Sequence, residues 1–116
     1  MTFMVEVLLK GQEQVVAESV HYDVATDLWA DDDVRQVLYL TLREFERAQN
    51  SDAAERPVQL RGISWIVTPL EQGVAIAIEI ASGAIVAGPF DVDPEWLTRA
   101  ITRVMADSAQ IPSRVH

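Results

Sequence analysis

Apolar and polar side chains alternate at the start of the chain. Phe3, Val5, Val7 and Leu9 fall on one side, Met4, Glu6, Leu8 and Lys10 on the other. A period of two is the signature of a β-strand. Gly11-Gln12-Glu13 offers a short turn, with glycine free to take positive φ. Alternation then resumes from Gln14 to Val24, with Val16, Glu18, Val20, Tyr22 and Val24 on one side and Val15, Ala17, Ser19, His21 and Asp23 on the other. The segment predicts a hairpin.

The period changes after residue 30. Val34, Val37, Leu38, Thr41, Leu42, Phe45 and Ala48 recur at helical spacing and form one apolar stripe. Asp31-Asp32-Asp33 precedes the stripe, while Arg43 and Arg47 follow toward its far end. Aspartates there cap free N–H groups, and both charge placements suit the helix dipole. The expectation is a helix over 32–49, then a polar loop from Asn50 to Pro57.

Val58 to Thr68 reads as a strand interrupted by Gly62, where a bulge is the natural interpretation. A bulge sets Leu60 beside Ile63, Trp65 and Val67; without one, Leu60 sides with Ser64 and Ile66. Either way, whether Trp65 faces the helices or the other side of the sheet stays open. Pro69 to Gly73 reads as a turn. Val74, Ile76, Ile78 and Ile80 alternate with Ala75, Ala77 and Glu79, and Ser82-Gly83 turns into a strand from Ala84 to Ala87. Asp93 is a good N-cap, Pro94 fits the first helical position and Glu95 the first turn. Leu97, Ala100, Ile101, Val104, Met105 and Ser108 continue that helix, and Pro112 limits it.

The order is β-β-α-β-β-β-α. Short connections imply antiparallel pairing. Two helices with single stripes cover one sheet face, which predicts a two-layer α+β domain with a mainly antiparallel five-stranded sheet. The expected domain is 1–108, with a loosely ordered tail over 109–116.

This architecture exposes a difficulty. One sheet face is filled by residues such as Phe3, Val5, Val7, Ile76 and Ile78. The other, which should be polar where it meets water, keeps Met4, Leu8, Ala75, Ala77 and Val86, and Trp65 is assigned there as well. Only Glu6, Lys10, His21, Asp23 and Glu79 dilute them. A contiguous apolar patch of this kind marks an interface. The reading is self-association as a homodimer, or a protein partner on Met4, Leu8, Trp65, Ala75, Ala77 and Val86.

Composition narrows the function. The 116 residues carry 9 Lys+Arg against 18 Asp+Glu, a net charge of −9, and no cysteine. An acidic surface repels nucleic acid and anionic membranes. Thiolate metal sites, disulfides and cysteine nucleophiles are excluded. The hydrophobic fraction of 49% excludes a disordered chain. No basic leader or membrane-length apolar run is evident, so a soluble cytoplasmic protein is expected.

Candidate chemistry is sparse. His21 and Asp23, two apart on a strand, could form an acid–base pair, with Glu79 a further candidate carboxylate, but no nucleophile motif accompanies them. Asp31-Asp32-Asp33 lacks the spacing of a calcium loop. Arg61 and Arg99 could meet anions, but no glycine-rich phosphate loop exists. No cofactor and no metal are therefore expected. Asp27, Asp31, Asp32 and Asp33 form an acidic edge able to steer a basic partner. The expected function is a non-enzymatic protein-binding or regulatory module, antitoxin-, immunity- or chaperone-like, working through this edge and the apolar face. The alternatives are a dimeric small-ligand-binding domain or assembly subunit, and a small enzyme using His21.

Overall fold

A computed structural model of the protein describes residues 1–49 and 63–110. Its elements are β1 (Thr2–Leu9), β2 (Val16–His21), a 3-10 turn (Thr26–Leu28), α1 (Asp31–Gln49), β3 (Ser64–Leu70), β4 (Gly73–Ile80), β5 (Gly83–Phe90) and α2 (Pro94–Gln110). The expected element order and the two-layer α+β architecture are both present. Leu60, the loop expected from Asn50 to Pro57, the bulge expected at Gly62, and most of the expected tail lie outside the described residues.

The five strands form one antiparallel sheet in the order β2-β1-β5-β4-β3. An N-terminal hairpin and a C-terminal three-stranded meander therefore meet where the first strand pairs with the last. Their register runs from Met4 opposite Gly88 to Leu9 opposite Gly83. β2 and β3 are the edges. Pro69 sits on β3, where a missing N–H costs no interior ladder bond.

Both helices lie on one face. α1 packs over β1, β2 and β5; α2 packs over β3 and alongside α1. The core between the layers contains Phe3, Val5, Val7, Ile76, Ile78, Ile85, Phe90, Val34, Leu38, Phe45, Leu97 and Ile101, all nearly inaccessible. Val34, Val37, Leu38, Thr41, Leu42 and Phe45 of the first stripe and Leu97, Ala100, Ile101 and Val104 of the second are buried, and Ala48 and Met105 are partly so. Trp29 is also in this core, its indole N–H donating to the Val24 carbonyl at 3.0 Å. Its ring lies 5.4 Å from that of Phe90 and 6.3 Å from that of Tyr22.

Several boundaries differ from the sequence reading. β2 covers only Val16–His21 of the alternating run from Gln14 to Val24, and α2 runs on to Gln110. α1 begins at Asp31. The five-residue turn expected at Pro69–Gly73 shrinks to two residues, because β3 extends through Leu70 and β4 starts at Gly73. β5 does not end at Ala87 but continues to Phe90. Ala87 pairs with Ile76 and Phe90 with Val74, so β5 spends one more residue than β4 over that interval. This bulge keeps both Ala87 and Phe90 turned toward the helices, where each is fully buried. Gly88 allows it: φ is +145°, and a Cβ there would lie 2.9 Å from the Val74 carbonyl oxygen.

Candidate functional site: the uncovered sheet face

Cross-strand partners share a face, so the register defines the surface opposite the helices. Across its middle run Glu6, Val86, Ala77 and Ile66, one per strand from β1 to β3. Leu8, Ala84, Glu79 and Ser64 form the adjacent row. Met4 lies opposite Ser19 and Gly88, and Ala75 opposite Thr68. Five large apolar side chains on this face are well exposed: Met4 at 40%, Leu8 at 41%, Val86 at 44%, Leu70 at 49% and Ile66 at 62%. Ala77 is half-buried and Ala75 is buried.

The surface is not flat. Small side chains on β4 and β5 leave two shallow depressions. One, of about 320 Å³, is lined by Ser64, Ile66, Ala77, Glu79, Ala84 and Val86. The other, of about 440 Å³, runs past Leu8, Lys10, Glu79, Gly83 and Ala84 toward the strand ends. They meet at Glu79 and Ala84. The carboxylates of Glu6 and Glu79 are exposed, and among the described residues neither forms an ion pair.

Five of the six residues assigned to this surface from the sequence are on it: Met4, Leu8, Ala75, Ala77 and Val86. Trp65, whose facing the sequence leaves open, borders the first depression but lies on the helix side of the sheet. It pairs with Ile78 and packs, partly buried, against the core with Ile63 and Val67. Ile66 takes the place given to it. The two-residue turn at Glu71-Gln72 is the signal that would have found this. It aligns Leu70 with Gly73 and hence Trp65 with Ile78, so a five-residue turn hides the register.

Asp31, Asp32 and Asp33 are engaged within the protein. Arg103 donates to both carboxylate oxygens of Asp31, from Nε at 2.7 Å and from Nη2 at 2.8 Å, tying α2 to the start of α1. Arg35 donates to Asp32 at 3.1 Å and to Asp107 on α2 at 2.8 Å. Asp33 accepts from the Ala30 backbone N–H at 2.8 Å and from the Tyr22 hydroxyl at 2.6 Å. The reach back to Ala30 is half of a capping box, closed by a carboxylate at the third helical position. The Ala30 N–H and then the Tyr22 hydroxyl hold the Asp33 carboxyl below its usual range. The Arg103 hydrogen bonds do the same for Asp31. Burial and then Asp33 push the Tyr22 hydroxyl up to about 12. Asp27 is exposed in the 3-10 turn.

His21 lies at the outer end of edge strand β2. Its Nε2 is 2.9 Å from Asp23 Oδ1, and the two side chains are 65% and 93% exposed. Neither lines the depressions described above. Glu79 is three strands away across β1 and β5. Arg99 approaches Glu95 at 3.9 Å on exposed α2, and Arg61 lies outside the described residues. Among the described residues no three His, Asp or Glu side chains converge as a metal site, and no helix is long and apolar enough to cross a membrane.

No family model matches the chain, and neither the curated proteins nor the solved structures contain a significant match to it.

Proposed function

We propose that the protein is a non-enzymatic protein-binding module whose docking surface is the sheet face opposite its helices. One observation carries this reading: Met4, Leu8, Ile66 and Val86 are large, apolar and 40–62% exposed on a single uncovered face. Five strands at about 4.8 Å and seven residues at about 3.3 Å make a surface roughly 19 by 23 Å. That whole face, its polar residues included, is the size of the largest apolar patch on an ordinary monomer, about 300–600 Å², which is often a functional surface. An enzymatic role for His21 has no comparable support, because acid–base work needs a substrate held at the pair.

The experiment is paired affinity capture from the native host with the wild-type protein and Ala77→Arg as baits, after thermal melts verify that both fold. Ala77 sits at the middle of the face, between Val86 and Ile66. The expected result is a protein retained by the wild type and lost from the variant. The same proteins on both baits would contradict the reading.

A further inference from the structure

We infer that the occupant of this face is an amphipathic helix of another protein, its apolar stripe bordered by lysine or arginine, and not a second copy of this chain. The inference rests on the docking reading above and names the partner's chemistry.

Charge comes first. Glu6 and Glu79 stand on the apolar face itself, unlike the aspartates at the start of α1, which are satisfied internally. Glu79 borders both depressions and Lys10 borders one. Covering the face strips water from the two carboxylates, which is costly unless cations replace it. A second copy would bring two more carboxylates against only one more Lys10. Like charges brought together under a low-dielectric cover repel strongly. A partner bearing two cations resolves the same surface favourably.

Shape points the same way. A helix needs little lateral room. It is about 10–12 Å across, and Val86 on β5 and Ile66 on β3 stand two strand spacings, about 10 Å, apart. Ala77 on β4 lies between them and lines the first depression. Glu6 and Glu79 lie two strands and two residues apart, about 12 Å. Along the strands they are two residues, about 7 Å, apart, close to the about 6 Å of rise between helix positions i and i+4. Grooves that receive one apolar helix face are an established mode of peptide recognition.

The test uses a dye-labelled 18-residue peptide of Leu, Ala and Arg, with leucines at i, i+3, i+4 and i+7 spacing and arginines along both borders. Binding is read by fluorescence anisotropy. The expected results are a tenfold or greater loss for Ala77→Arg and for Ile66→Glu, and a fivefold or greater loss for Glu6→Gln/Glu79→Gln. The charge-matched control Asp91→Asn/Glu95→Gln, on the helix side, should bind within twofold of the wild type. Losses at Ala77 and Ile66 without a loss at Glu6/Glu79 would overturn the cationic partner and leave the docking face standing. Binding unaffected by Ala77→Arg and Ile66→Glu would overturn both. Sedimentation of a wild-type dimer that either variant converts to monomer would make the occupant a second copy and overturn this inference alone.

Discussion

Asp33 accepts from the Ala30 N–H with one carboxylate oxygen and from the Tyr22 hydroxyl with the other. It joins the start of α1 to the end of the N-terminal hairpin. Asp33→Ala removes a cap interaction and leaves a part-buried hydroxyl unpaired, so it should lower stability by about 2 kcal/mol in chemical denaturation. The pH dependence has two limbs. Asp33 and Asp31 have folded pKa values below the ordinary carboxylate value. Their stabilisation is present above about pH 4, the unfolded value, and is lost as pH falls through the lower folded values. Tyr22 is shifted from 10.0 to about 12. Its contribution is complete below pH 10 and fades as pH rises toward about 12. An ultraviolet titration of the folded protein should show one tyrosine ionising near 12, and Asp33→Ala should move that step toward the ordinary value. An unmoved step would mean burial alone sets it.

The elements differ in how far they can be read from the chain. Both helices were legible because stripe, cap and dipole agree at each. At α2 the Asp93 carboxylate accepts from the Trp96 N–H at 2.8 Å, the contact its sequence position implies. Strand faces were legible where alternation is uninterrupted, as in β1 and β4. They were not legible where register depends on turn length, since a slip of one residue reverses every side chain. Which of Trp65 and Ile66 faces the helices stays open in the sequence for this reason. Phe90 was missed because Gly88-Pro89 resembles a strand end, although a bulge carries the strand through it. The pairing of Arg103 with Asp31 joins residues 72 apart, and no local pattern announces a contact that only packing creates. Gly83 makes the β1–β5 junction testable. Its φ is +156°, and an added Cβ would collide with the Leu8 carbonyl oxygen. Gly83→Ala should therefore cost about 1–3 kcal/mol, seen as a lower denaturation midpoint. An unchanged midpoint would show that this junction tolerates a side chain.

Across the protein as a whole, acidity and hydrophobic content divide between two tasks. At the start of α1 the aspartates cap the helix and clamp it to α2 through Arg35 and Arg103. That uses much of the acidic edge for folding and leaves less of it to steer a partner. The helices and one side of the sheet bury a continuous core, yet Met4, Leu8, Ile66 and Val86 contribute little to it because they face away. Apolar side chains at half exposure, with two carboxylates among them, suit a surface completed by another molecule. The most direct measurement is amide chemical-shift mapping of the isotope-labelled protein during titration with the arginine–leucine peptide. The largest changes should fall on Glu6, Leu8, Ile66, Ala77, Glu79 and Val86, with the outer faces of α1 and α2 unperturbed. Changes concentrated on those helices, or around Asp27, would contradict the assignment of the open sheet face as the docking surface.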